Sequence, residues 1–482
     1  MAERFREFFF LITTFLGLGG TFVAMAAPLP EALEQAAKAY RVPLESLSLS
    51  VRSVDHPSEE PLLDWNAMQS VAPASTAKLV TTYAALDILG PDYRWRSQFW
   101  TDTPPNERGV ISHLYLKGSG DPSWVVEGFQ LALNRLRQLG VKTIQGDLIV
   151  DRHRFASMQG DPADFDGRGD RPYNQLPDAA LVNYNSVSFE FVPDPKGQFA
   201  RVVTVPALDG VEVPDRIALI GGGCGDWKAS LGYRIEPIDN VKKRVVFAGG
   251  LPKSCGPKRF NVVSFSADEY LERLFRALWQ QEEGQWLGHV RQGAVPEDAV
   301  LLAENISEPL REEITLANKW SNNQIARHLF LSTVLDEASC RENDCVSSPE
   351  LARKKVLDWL SQKGVDTQGF VLDNGSGLSR IATVTASGMT QMLCSAWSSP
   401  MMPEFIASLP IAGVDGTMRK RVVATGSAHI KTGYLADVRA IGGYIQTSHG
   451  DRYAIFATVE GSRAVAQGIP FLNSVIQWVY EH

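Results

Sequence analysis

The sequence predicts an α/β chain in which one domain is split between the two ends, with its sheet built from both. Three patterns predict it. A strand hairpin and then a helix occupy residues 47–89, and three strand patterns and a closing helix occupy 428–479. Short strand-like runs fill the middle, from 95 to 290. The chain has 482 residues, which suggests roughly three folding units of ~150 residues.

The elements follow in order. Leu33, Ala37 and Tyr40 mark one face of a first helix. LSLSVRSV (47–54) reads as a strand, and LLDWNA (62–67) as its hairpin partner across a Pro/Ser/Glu turn. VAPASTAKLVTT (71–82) then opens a helix that runs to Leu89, where Gly90 and Pro91 stop it. SQFW, HLYLKGSG and GDLIVD are strand-like, whereas DPADFDGRGDRPYN is irregular from its Asp, Gly and Pro content. ARVVTVPAL, RIALIGG, KRVVFAGG and FNVVSF continue the strand pattern, so 95–290 reads as inserted, mostly β material. From about 265 helices return in SADEYLERLFRALWQ, REEITLANKW, QIARHLFLSTVL and SPELARKKVLDWLSQKG. The last of these begins with a Ser348 cap and Pro349 at the first helical position. AHIKTGY, RAIGGYIQT and RYAIFATVE are the C-terminal strands. Leu472, Val475, Ile476 and Val479 mark the final helix.

With 44% hydrophobic and 21% charged residues the composition is that of a soluble globular protein. A net charge of -8 argues against a nucleic-acid partner. The first residues have the layout of a secretory signal peptide: Arg4 and Arg6, an apolar run from Phe8 to Val23, then Ala24-Met25-Ala26 as the cleavage site. The alternative is a retained membrane anchor, which the three glycines at 17, 19 and 20 disfavour. Five cysteines fit an exported chain. Cys340 and Cys345 enclose four residues, and Cys224 and Cys255 flank a Gly-rich region. Two bridges would leave Cys394 as a buried thiol in a helix, although the sequence does not fix the pairing. No CxxC or HExxH spacing occurs, so no metal is expected.

Three short stretches could carry chemistry. Ser75 and Lys78 stand three apart on a helix, where they share a face. A serine needs a base, and a buried lysine can serve as one. Ser321-Asn322-Asn323 places a hydroxyl and an amide two residues apart at a helix junction, where an ordinary N-cap is the plain alternative. Lys431-Thr432-Gly433-Tyr434 would line a strand edge, where a substrate carboxylate could dock and Gly433 would admit a ligand backbone. Alone, each is weak. Together S-x-x-K, S-x-N and K-T-G stand in the order found in penicillin-binding proteins and serine β-lactamases. Here the middle motif is Ser-Asn-Asn in place of Ser-Asp-Asn.

The 246 residues from Ser75 to Ser321 exceed what a compact β-lactamase needs. With LYLKGSGDPS (114–123), RPYNQLPDAALVNYNSV (171–187), DNGSGLSR (373–380) and LPIAGVDGTMRKR (409–421), the chain resembles the low-molecular-mass class C penicillin-binding proteins. These are D-alanyl-D-alanine carboxypeptidases and DD-endopeptidases. The resemblance implies an α/β (α+β) fold: a split penicillin-binding domain, its antiparallel sheet flanked by helices, with two inserted mostly-β domains. Its expected boundaries are a signal peptide at 1–26, the split domain at 27–94 plus 291–482, one insert at 95–124 plus 197–290, and another at 125–196.

The resemblance also implies roles. Ser75 would attack the carbonyl between the terminal D-alanines of a peptidoglycan stem, with Lys78 as general base. Ser321 would relay a proton to the leaving amine, tuned by Lys431, and Asn323 would bind the substrate amide and position Lys78. Lys431 and Thr432 would hold the terminal carboxylate, and the N–H groups of Ser75 and Tyr434 would stabilise the oxyanion. Asp166 or Asp170 would meet the free end of diaminopimelate in a cross-link and Arg380 its carboxylate, although turn chemistry explains both aspartates equally well. β-Lactams would acylate Ser75, no cofactor is needed, and the location would be the periplasm. A β-lactamase would need a deacylating carboxylate, for which no motif is present. A penicillin-binding sensor without turnover is the remaining alternative. Oligomeric state and contact with the membrane surface stay open.

Overall fold

The structure is a computed structural model and describes residues 28–335 and 345–482. The expected signal peptide and Cys340 lie outside the described residues. The central sheet is built from both ends of the chain. Its strands run in the order Ala428–Tyr434, Val438–Gln446, Arg452–Glu460, Leu47–Ser53, Leu63–Trp65, all antiparallel. Side chains alternate between the two faces of a strand, and here both faces are covered. Ile455, Ala457 and Val459 pack with Leu33 of the helix Glu31–Tyr40 and Phe471, Val475 and Val479 of Ile469–Glu481. Ala454 and Phe456 pack on the other face with Leu79 and Tyr83 of the helix Ala77–Leu89 and Met389 and Met392 of Ala386–Trp397. This double cover explains why Arg452–Glu460 shows a continuous apolar run instead of alternation.

The inserted region leaves and rejoins the split domain at one point. The Trp95 N–H donates to Ser307 Oγ at 3.0 Å, and the Ser307 N–H donates back to the Trp95 carbonyl at 3.0 Å. Between these residues lie two five-stranded and two three-stranded sheets. They share an aromatic core around Phe129, Phe275 and Trp279.

One element was not expected, and one expectation needs correction. Within the mostly β inserted region lies a 13-residue helix, Val126–Gln138, in the second expected insert. Its buried Phe129, Leu133 and Leu136 follow helical spacing, but the neighbouring strand runs mask that signal. The strand Val300–Ile306, expected with the split domain, instead hydrogen-bonds along Arg96–Thr101 in an insert sheet. Cys224 and Cys255 form a disulfide, and Cys394 is a buried free thiol within the helix Ala386–Trp397.

Candidate active site

Ser75 lies in a 3-10 turn, Ala74–Thr76, that feeds the helix Ala77–Leu89. Ala74 takes a left-handed φ of 46°, and Thr76 Oγ1 donates to the Pro73 carbonyl at 2.5 Å, closing the turn. Two glycines press on this turn. A Cβ on Gly377, whose φ is +76°, would sit 1.8 Å from the Ala74 carbonyl oxygen. One on Gly433 would sit 2.8 Å from the Pro73 oxygen. The strand carrying Lys431 and the loop Asp373–Arg380 therefore both pass against the backbone that presents Ser75.

Lys78 is fully buried. Its Nζ donates to Ser75 Oγ at 3.2 Å, to Asn323 Oδ1 at 2.7 Å and to the Ser376 carbonyl at 2.5 Å. All three partners are neutral oxygens. Burial pushes its proton affinity well below that of a free lysine, and the charges of Lys431 and Arg327 push it further. Lys431 is also fully buried, and burial lowers its pKa to about 7. Its Nζ donates to Ser321 Oγ at 2.9 Å and to the Thr432 carbonyl at 2.6 Å. The site thus pairs two hydroxyls with two amines, and Asn323 joins Lys78 to the second helix.

Ser321 sits between the helices Leu310–Lys319 and Asn323–Ser332 with a left-handed φ of 57°. The cap of the second helix is Asn322, whose Oδ1 accepts from the Ile325 N–H at 3.1 Å. Ser321 is therefore spared the capping role that would have explained it structurally. The strand Ala428–Tyr434 forms an edge of the central sheet. On it Thr432 is buried and donates from Oγ1 to Thr417 Oγ1 at 2.9 Å, while the Tyr434 side chain is exposed.

Two of the remaining candidates, Arg380 and Asp166, share one wall. Arg380 lies over the Phe165 ring at 4.3 Å and donates to the Phe165 carbonyl at 3.3 Å, beside Asp166. Asp166 accepts from Tyr173 Oη at 2.8 Å and Asn174 Nδ2 at 2.7 Å. Partial burial opposes its charge, but these bonds and the Arg168 N–H hold its pKa below the usual carboxylate value. The Tyr173 carbonyl accepts from Asn323 Nδ2 at 3.4 Å, which ties this wall to the buried centre. Asp170 is placed apart. Its backbone carbonyl accepts from the Val263 N–H, and its side chain stands 3.6 Å from Arg171.

Sequence reasoning missed three participants. The Ser376 carbonyl is a backbone acceptor and has no residue signature. Thr417 meets Thr432 only through the fold. Arg327, buried and donating to the Asn174 and Gln175 carbonyls, adds a cation behind Lys78. Its signal was a charge on an otherwise apolar helix pattern. Among the described residues, no group of three or more His, Cys, Asp or Glu side chains could hold a metal ion, and no helix is long and apolar enough to cross a membrane.

The profile of the D-Ala-D-Ala carboxypeptidase 3 (S13) family matches residues 29–469. A D-alanyl-D-alanine carboxypeptidase from an Actinomadura species is 30% identical over 427 residues, covering 85% of this chain and 77% of the relative. The D-alanyl-D-alanine carboxypeptidase DacB of Haemophilus influenzae is 23% identical over 405 residues, covering 83% and 82%. The crystal structure of penicillin-binding protein 4 from Haemophilus influenzae superposes with a TM-score of 0.73 at 21% identity, covering 93% of this chain and 99% of that one. A predatory endopeptidase from Bdellovibrio bacteriovorus, solved with an immunity protein, superposes at 0.51 with 15% identity, covering 90% and 91%. The two structural likenesses show a shared fold, and the sequence match, which spans nearly the whole chain, shows descent: this protein belongs to the D-Ala-D-Ala carboxypeptidase S13 family of peptidases.

Proposed function

We propose that the protein is a serine DD-peptidase that cleaves the terminal D-alanyl-D-alanine bond of peptidoglycan stem peptides, and D-alanyl cross-links, through an acyl-enzyme on Ser75. The observation that carries this reading is Lys78 Nζ, fully buried and, among the described residues, with only neutral oxygen partners, 3.2 Å from Ser75 Oγ. A buried amine without a counter-charge loses its proton readily and can then accept one from the serine.

In the first half-reaction Ser75 Oγ bonds to the carbonyl carbon and its proton passes to Lys78 Nζ. The carbon–nitrogen bond then breaks. The leaving amine takes a proton through Ser321, whose hydroxyl accepts from Lys431 at 2.9 Å. In the second, water adds to the ester carbonyl, Ser75 leaves with a proton, and the shortened peptide departs as a carboxylate. Lys431 and Thr432 are suited to the substrate's terminal carboxylate, because an ammonium and a hydroxyl are its natural donors.

A β-lactam presents the same carbonyl in a ring, so its leaving nitrogen stays tethered and the adduct persists. The Haemophilus protein has been solved with a β-lactam, which supports extending this capture to the present chain. Endopeptidase action rests on the wall of Asp166 and Arg380, which would meet the amino and the carboxylate group, respectively, at the free end of diaminopimelate in a cross-link, with Asp170 set apart from it. The signal-peptide layout of the first residues supports an exported, periplasmic enzyme.

Intact-protein mass after incubation with benzylpenicillin tests the reading. One penicilloyl adduct is expected on the wild type and none on Ser75→Ala. Folded wild type that takes no adduct would overturn it.

A further inference from the structure

Thr417 brings a second hydroxyl to Thr432, the threonine suited to the substrate's terminal carboxylate. The two Oγ1 atoms stand 2.9 Å apart, and Thr432 is almost wholly buried. The segment that carries Thr417 is fastened on two sides. On the first, Pro410 to Ala412 run antiparallel along the free edge of the strand Ala428–Tyr434. The Ala412 N–H donates to the Ala428 carbonyl at 2.9 Å, and the Ile430 N–H donates to the Pro410 carbonyl at 2.8 Å. The chain then doubles back, and the Gly413 N–H donates to the Met418 carbonyl at 3.1 Å. The 3-10 turn Gly416–Met418 thereby returns Thr417 to the same strand, at Thr432.

The second fastening is Asp415. Its Oδ1 accepts from the Ile411 N–H at 2.8 Å, and its Oδ2 accepts from Lys319 Nζ at 2.5 Å. Lys319 is the last residue of the helix Leu310–Lys319, and its Nζ also donates to the Leu409 carbonyl at 3.1 Å. Gly416 presses on the same helix end: a Cβ there would sit 2.7 Å from the Lys319 carbonyl oxygen, and its φ of +53° is left-handed. Thr417 is thus placed from both sides of the site. One side is the strand that carries Lys431 and Thr432, and the other is the helix that ends two residues before Ser321.

A threonine hydroxyl has one proton to give and two lone pairs. As arranged here, Thr432 gives its proton to Thr417. A carboxylate only accepts, so Thr432 must turn that proton to the ligand, which leaves its own oxygen open to a donor. The Thr417 hydroxyl already stands within reach as that donor. A hydroxyl that accepts one hydrogen bond donates a stronger one. We propose that Thr417 is a positioning residue for carboxylate recognition: it reverses its bond with Thr432 when the carboxylate binds, and so aims and strengthens the donation from Thr432 without touching the ligand. The inference rests on the serine-peptidase reading above. A threonine that only closed the loop would affect every ligand alike, whereas this role is felt only by a ligand with a carboxylate.

Benzylpenicillin carries a carboxylate on the carbon next to its leaving nitrogen, as a terminal D-alanine does, and its methyl ester has none. The test measures acylation rate constants for both compounds, from adduct mass against time. The proteins are wild type, Thr417→Val, Thr417→Ser, Thr432→Val and the double valine variant. Thr417→Val is expected to slow the acid about fivefold to tenfold and the ester by less than about twofold. Thr417→Ser, which keeps the hydroxyl, is expected to restore the wild-type ratio of acid to ester. The double variant is expected to be no slower toward the acid than Thr432→Val alone, because Thr417 acts only through Thr432. If Thr417→Val does not fold, Thr417→Ala makes the same deletion of the hydroxyl. Equal slowing of acid and ester, wild-type rates for both, or effects that multiply in the double variant would overturn the proposal alone. A wild type that takes no adduct from benzylpenicillin would overturn the peptidase reading and this proposal together.

Discussion

Lys78 and Lys431 are both fully removed from solvent in one site, and the charge on Lys431 lowers the proton affinity of Lys78. Among the described residues, neither amine donates to a carboxylate. Lys78 meets hydroxyl, amide and carbonyl oxygens, and Lys431 meets a hydroxyl and a carbonyl. A buried cation without a counter-charge is costly, and the cost is relieved when the proton leaves. Loss of the proton from the amine beside Ser75 is thereby favoured, as the proposed role of Lys78 as base requires.

Replacing Lys431 by Met removes the neighbouring charge. Lys78 then holds its proton to higher pH, so the acid limb of the acylation rate moves up. The plateau falls as well, because Ser321 loses its donor. Acylation rates measured from about pH 5 to 9 check this. A limb that stays in place or moves down would rule out Lys78 as the group being titrated.

Asn323→Asp makes the opposite change. It sets a carboxylate where an amide oxygen now stands 2.7 Å from Lys78 Nζ. The opposite charge favours the protonated amine, so acylation at neutral pH falls by roughly 10- to 1000-fold and recovers as pH rises. Asn323→Ala lowers the rate without that recovery. Equal pH profiles for the two variants would show that Asn323 acts by shape and not through the charge of Lys78.

The motifs were legible because each is a side chain with a chemical signature at a short spacing. The split sheet was legible because both ends carry strand and helix periods. What escaped was contact made only by folding. Ser376 contributes a carbonyl that any residue would supply, and Thr417 reaches Thr432 across a loop. The Val126–Gln138 helix escaped because its period competes with flanking strands, and Val300–Ile306 because a strand's partner is not written in its own sequence. Ser75 was expected to open the helix, but it occupies a 3-10 turn forced by the left-handed Ala74, a backbone state that alanine does not advertise.

Gly377 shows how tightly that turn is held. At a φ of +76° it adopts a conformation costly to other residues, and a Cβ would overlap the Ala74 carbonyl. Gly377→Ala must displace either the turn or the loop that carries the Ser376 carbonyl. A shift of about 1 Å at Ser75 is expected to slow acylation by ~100-fold. The benzylpenicillin acylation rate checks this, alongside a circular dichroism spectrum to confirm folding. A folded variant with an unchanged rate would mean that the loop yields without moving Ser75.

Glu313, on the helix Leu310–Lys319, is almost wholly buried. Burial raises its pKa, the hydrogen bond from Ser123 Oγ at 2.5 Å opposes this, and Asp121, Glu308 and Glu312 add to the rise, which reaches about 8. The folded protein therefore keeps this acid protonated where the unfolded chain would ionise it. The sign follows from linkage: its contribution to stability is full below the usual glutamate value of 4.5 and is lost as pH rises through about 8. Glu313→Gln carries no charge at any pH and escapes that loss. Relative to wild type, the variant should gain roughly 2–8 °C in melting temperature between pH 5 and pH 9. Melting curves across that range decide it. Parallel curves for the two proteins would mean that Glu313 is ionised in the folded state and that its charge is balanced by a partner other than Ser123.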